Sequence, residues 1–166
     1  MPFYKKCFLL LPACVFVSML FAKSSNSSPY IVVAKLVDFV PGISSTTYSG
    51  YPVKLIIANT SHTERTFLMR NCSWQDGWKI DNKNFYLYSP ECDANYQAHI
   101  TLAPGQEKVF FGQVIRHNNA KRSRGSEVQF GFIELTDFLY IKYMKGIISD
   151  EYKGATTYWS NKVVLP

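Results

Sequence analysis

Between Tyr30 and Leu165 the chain is cut by turn signals about every 8–14 residues, and the pieces between them alternate apolar with polar side chains or run in β-branched ones. This pattern constrains the fold more than any other feature. A period of two puts every second side chain on one face of a strand, whereas a helix needs a period near 3.6. Residues 30–40 (YIVVAKLVDFV) read as a long first strand. Residues 51–58 turn Val53, Leu55 and Ile57 one way and Lys54 the other, and end at the turn Asn59-Thr60-Ser61. Residues 65–70 place Phe67 and Met69 on one face, and 85–88 form a short strand before Ser89-Pro90. Residues 96–102 lead into Ala103-Pro104-Gly105-Gln106, with Pro and Gly where a β-turn wants them. Residues 107–115 alternate Val109, Phe111 and Gln113 against Lys108, Phe110 and Gly112. Residues 127–135 alternate through Val128, Phe130 and Phe132, and 157–165 form a last strand. Residues 137–146 fit either a strand or one helical turn followed by a strand.

That makes about eight strands, and no segment sustains a helical period over ten residues. The expectation is an all-β fold, an antiparallel immunoglobulin-like β-sandwich of about 7–9 strands. A small barrel is the alternative. Residues 41–50, 71–84, 116–126 and 146–156 read as irregular, and none is long enough to separate two domains. Residues 30–166 are therefore expected to form one domain. The hydrophobic share of 47% excludes intrinsic disorder.

Residues 1–22 (MPFYKKCFLLLPACVFVSMLFA) have the three parts of a secretory signal peptide: Lys5 and Lys6, then an apolar run from Cys7 to Ala22, then a polar tether at 23–29. The apolar run contains Pro12 and is short for a membrane anchor, which needs about 20 residues. Cleavage after Ala22 and a secreted or periplasmic product are expected. Leu11-Pro12-Ala13-Cys14 has the outline of a lipoprotein signal, so lipid anchoring at Cys14 is the rival reading. Loss of the signal removes two Lys and no acid, which lowers the formal charge from +6 to +4. That excess is too mild for a nucleic-acid-binding face. No membrane-spanning segment is expected in the mature chain.

Cys72 and Cys92 are then the two cysteines left. An even pair in an exported chain reads as a disulfide. The 21-residue loop it closes is worth about 3 kcal/mol by loop-entropy arithmetic. Metal or redox chemistry would need Cys-x-x-Cys or a His at ligand spacing, and the sequence has neither there.

The strand closing on Asn59-Thr60-Ser61, the turn Leu102-Ala103-Pro104-Gly105-Gln106-Glu107 followed by an aromatic strand, and the terminal strand from Trp159 to Leu165 together resemble bacterial exported immunoglobulin-like domains. More narrowly, Asn71-Cys72-Ser73-Trp74-Gln75, Glu91-Cys92-Asp93 and Trp159-Ser160-Asn161 look like small secreted bacterial proteins without an assigned activity, over about residues 30–165. The Leu-x-Pro-Gly element is also similar to the BsuPI-type proteinase inhibitor domain, a β-sandwich, although no inhibitory loop can be matched. The resemblance implies fold and export, and no activity.

Two stretches stand out as contact candidates. Cys72 to Trp78 (CSWQDGW) sets Trp74 and Trp78 beside the cysteine, and Trp is favoured in binding hot spots. Trp74 also suits packing on the disulfide. Arg116 to Arg124 (RHNNAKRSR) carries Arg116, Lys121, Arg122 and Arg124 with no acid, and would attract an acidic protein or an anionic envelope surface, or simply stay solvated. His62, His99 and His117 are scattered, and no nucleophile elbow, His-Glu-x-x-His or phosphate loop occurs. No cofactor, metal or catalytic set is expected. The function read from the sequence is an exported, non-enzymatic binding module, possible classes being inhibitor or immunity proteins. The rivals are an envelope-polymer hydrolase and a lipid-anchored envelope component. Asn59-Thr60-Ser61 and Asn71-Cys72-Ser73 fit the glycosylation sequon.

Overall fold

The structure, a computed structural model, describes residues 28–41, 50–89, 96–117, 125–147 and 149–166. In chain order the elements are β1 (Tyr30–Leu36), β2 (Tyr51–Asn59), β3 (Arg65–Arg70), a short 3-10 helix (Trp74–Gly77), β4 (Trp78–Ile80), β5 (Phe85–Tyr88), β6 (Gln97–Leu102), β7 (Glu107–Arg116), β8 (Glu127–Val128), β9 (Phe130–Glu134), α1 (Asp137–Met144), β10 (Thr156–Trp159) and β11 (Val163–Val164). The class is all-β, and every ladder among the described residues is antiparallel.

One sheet has the order β1-β2-β7-β5. The remaining strands form three shorter ladders, β10-β9-β4, β11-β8 and β3-β6. Two details join them. Gln129 separates β8 from β9, yet its N–H donates to Asp81 Oδ1 at 2.8 Å and its carbonyl accepts from Asp81 N at 3.2 Å. Leu68 N donates to Leu135 O at 2.7 Å, which brings β3 against the end of β9. β3 and β4 therefore flank β8–β9 on one side and β10–β11 flank it on the other, across the 3-10 helix and the Ser160-Asn161 break respectively.

The alternation in the sequence explains the core. Tyr30, Val32 and Ala34 of β1 and Val53, Leu55 and Ile57 of β2 are buried on one face. They meet Phe67 and Met69 of β3, Trp78 of β4, Phe130 and Phe132 of β9 and Val163 of β11 in one cluster. Tyr30 stands edge-on to Phe67, Phe132 and Tyr158 at ring separations of 6.1, 5.6 and 5.1 Å. Burial of each large side chain is worth about 1.5–3 kcal/mol before entropy is subtracted.

Four local expectations need correction. β1 stops at Leu36 rather than Val40, because the next register partner is Pro52, whose carbonyl accepts from Val37 N (3.1 Å) but which has no N–H to return. The stretch 71–84 contains β4. The last strand is two short ones, broken where the Asn161 side chain turns to β1: its Oδ1 accepts from Ala34 N at 2.9 Å and its Nδ2 donates to Ala34 O at 3.0 Å. Residues 137–144 form a helix, started by Thr136, whose hydroxyl accepts from Leu139 N at 3.4 Å. None of its residues is buried, so it stands on the outside of the β9–β10 connection. Among the described residues no helix is long and apolar enough to cross a membrane.

Candidate functional site

After β3 the chain turns sharply through Cys72 and the 3-10 helix. Asp76 N donates to Ser73 O at 3.0 Å, and Trp78 N closes the turn on Gln75 O. Cys72 is buried, and the Ser89 hydroxyl reaches its carbonyl at 3.3 Å as well as the side-chain oxygen of Gln75. Cys92 lies outside the described residues.

The turn sends its two tryptophans to different places. Trp78 opens β4 and is only 6% exposed, with its ring 5.8 Å from both Phe110 and Phe132. It is a core residue, which corrects the expectation that it is available for contact. Its register pairing with Phe132 decides this, since β4 must turn the same face inward as β9. Trp74 is half-buried. Its ring lies on Phe110 at 5.1 Å and 32° and over the backbone of Gly112. A Cβ on Gly112 would stand 3.0 Å from Trp74 Cη2, so a residue without a side chain is what seats the indole here.

Beside Trp74 opens a cleft of about 320 Å³ between β7 and the β3–β6 ladder, with Arg70, Asn71, Ile100, Lys108 and Phe110 among its walls. The Lys108 ammonium sits 6.0 Å from the centre of the Phe110 ring. Arg70 is held from outside the cleft: its guanidinium is 3.2 Å from Glu151 and 3.6 Å from Asp76. Glu151 is the one acid whose side chain is almost fully enclosed among these ion pairs, at 8% exposure, and it also accepts from Gln97 Nε2 at 3.5 Å. Burial, with the charges of Glu151 and Asp76, pushes the Tyr152 phenol well above its usual range. This network anchors the 149–155 turn to the end of β3 and fixes the wall of the cleft.

A second polar cluster lies at the other flank. Tyr30 and Tyr158 donate to the two oxygens of Glu134, at 3.2 and 2.8 Å. Burial first, and then the bond to Glu134, pushes the Tyr158 phenol up to about 12. His99 Nε2 is 2.9 Å from Asp137 Oδ1 at an exposed position. The His117 ring lies 4.8 Å from that of Tyr86, on the β5 side of β7. Among the described residues no three His, Cys, Asp or Glu gather at metal-ligand distances.

Of the second sequence-derived contact region only Arg116 and His117 are among the described residues. Arg116 is half-buried at the end of β7 opposite Phe85, four residues along the strand from Gly112 under Trp74 and so roughly 14 Å from it at about 3.4 Å per residue. Lys121, Arg122 and Arg124 lie outside the described residues. Sequence reading missed Arg70, Lys108 and Gly112. Gly112 carried a usable signal, since a glycine inside an aromatic strand marks a close approach of other atoms to the backbone. Asn59 was read as a turn residue but is fully buried. Its amide donates to Thr63 O and Leu102 O, both at 2.8 Å, and its oxygen accepts from Ser61 N and Oγ at 3.0 and 2.7 Å. An amide so engaged cannot carry a glycan in the folded chain. No protein-family profile, curated protein or solved structure matches the chain.

Proposed function

We propose that the chain is an exported, non-enzymatic binding module, an immunoglobulin-like β-sandwich that grips another protein at the Trp74 cleft. Support for the sandwich is the packing of the four-stranded sheet across one core against the other three ladders. Support for export is the sequence of residues 1–22. The proposal pairs Cys72 with Cys92. Cys72 is buried, and Ser89, three residues before Cys92, bonds to its carbonyl.

The observation that carries the binding reading is Trp74. An aromatic side chain left half-open, seated on a glycine and backed by Phe110, offers a large rigid contact at little entropic cost. Lys108 beside it favours an acidic partner, and the 116–124 loop, with Arg116, Lys121, Arg122 and Arg124, adds a second basic region to the same proposal.

The test is quantitative capture from an envelope extract of the source cells by wild-type chain, Lys108→Glu and Arg122→Ala/Arg124→Ala. A partner retained by wild type and lost by Lys108→Glu, at unchanged melting temperature, supports the cleft. Equal capture by all three removes it. Loss with the double arginine variant alone moves the contact to the loop.

A further inference from the structure

β7 is ten residues long, but β5 covers only part of one side of it: Phe85–Tyr88 pair with Gln113–Arg116. The other side is paired with β2 from Glu107 to Val114. Residues 107–112 therefore extend past β5, a length of roughly 20 Å at about 3.4 Å per residue. The direction of their main-chain groups follows from the register. Asn59 N donates to Gln106 O at 3.0 Å, so the even-numbered residues of β7 exchange bonds with β2. His117 N donates to Asn84 O at 2.9 Å, so the odd-numbered residues face the other way, toward β5 where β5 is present. Glu107 and Val109 face that way too. Among the described residues no strand stands opposite them.

This open half-edge borders the Trp74 cleft, whose walls include Lys108 to Phe111 on the β7 side and Ala98 and Ile100 on the β6 side. Its two sides belong to strands of different sheets. Trp74 stands at one end of the gap, over Gly112. The charges at its mouth are unequal. Arg70 is satisfied by Glu151 and Asp76, whereas Lys108 has no carboxylate within 4.0 Å among the described residues. Glu107, next along the strand, is exposed on the opposite face.

We infer that the cleft takes an extended peptide segment of another protein, added as an antiparallel or parallel strand to residues 107–112 of β7, with a carboxylate side chain set against Lys108. The main-chain groups of Glu107 and Val109 supply the affinity that any extended segment can use, and the Lys108 ammonium and the Trp74 ring select among segments. An unpaired strand edge is ordinarily shielded in a folded protein. The β1 edge is shielded in this way, by the Asn161 amide on Ala34. The β7 half-edge has no such plug among the described residues, and the cleft keeps the space beside it open.

The inference rests on the binding reading above and adds to it the chemistry of the partner. Its test uses the full chain and a phage-displayed library of random ten-residue peptides, with the best binder resynthesised in two singly alternating N-methylated forms. Each form blocks the main-chain donors on one side of an extended peptide. The expected result is an acidic residue common to the selected peptides, at least tenfold weaker binding by one N-methylated form and not the other, at least tenfold weaker binding to Lys108→Glu, and slowed deuterium exchange at Glu107 and Val109. Equal binding by both N-methylated forms, or protection elsewhere, overturns strand addition while leaving a side-chain contact at Trp74 intact. Failure to select any peptide overturns the inference, and capture of a folded partner that still depends on Lys108 then shows the cleft binding by another mode.

Discussion

Replacing Gly112 with Ala probes the seat of Trp74 directly. The added Cβ would stand 2.8 Å from the Tyr88 carbonyl oxygen and 3.0 and 3.2 Å from Cη2 and Cζ2 of Trp74. The indole can swing outward, but the carbonyl belongs to the backbone of a paired strand and cannot move without disturbing the β5–β7 ladder. Overpacking of this kind costs about 1–3 kcal/mol, against which the lower backbone entropy of Ala returns about 0.5–1 kcal/mol. A net loss of about 1–2 kcal/mol is expected. With a urea slope of about 1–3 kcal/mol per molar, the denaturation midpoint should fall by roughly 0.5–1 M. Repeating the substitution in a Trp74→Ala background separates the two contacts. The part due to the ring disappears, while the part due to the Tyr88 carbonyl persists, giving a coupling of about 0.5 kcal/mol or more. A midpoint that stays or rises would refute the seating argument, and zero coupling would show that Trp74 does not depend on Gly112.

Asn59→Asp should be strongly destabilising, by about 3 kcal/mol or more, because an acceptor then faces the carbonyls of Thr63 and Leu102 in a fully buried site; the loss should shrink as pH falls and the new carboxyl protonates, which thermal melts across pH 4–8 would register. The Tyr158 phenol is pushed up to about 12 in the folded chain against about 10 unfolded, so its contribution to stability is complete below about pH 10 and is lost as pH climbs through 12; Tyr30 and Tyr152 are raised further, and their contribution begins to fall from the same pH and persists higher. Melting temperature should therefore decline over that window, and more shallowly in Tyr30→Phe/Tyr158→Phe. Thiol labelling of the native mature protein should find no free cysteine, and mass spectrometry should place its first residue at Lys23; a diacylated Cys14 would instead establish a lipid anchor.

The sequence was most legible where one face of a strand is buried and the other is not. Val53, Leu55 and Ile57 alternate with Lys54, and that contrast by itself settles both the strand and its inward face. It was least legible where burial gives no contrast. α1 keeps all its apolar side chains outside the core, so no face of the helix is marked in the sequence and residues 137–146 could be read either way. Trp74 and Trp78 are the same residue type four positions apart. Only the pairing of β4 with β9 makes one a core residue and leaves the other at the cleft. The cleft was hidden for the same reason. Arg70 and Glu151 are 81 residues apart, and Lys108 looks like any solvent-facing lysine of a strand until β5 stops short of it and, among the described residues, no strand stands opposite.

The cleft itself is best tested by placing a photo-crosslinking amino acid at position 108 and, separately, at position 164, which is exposed on β11 away from it. Irradiation of cells making each variant should give a higher-mass adduct from position 108 and none from position 164. Adducts of equal yield at both positions, or none at 108 with one at 164, would contradict a partner seated beside Trp74.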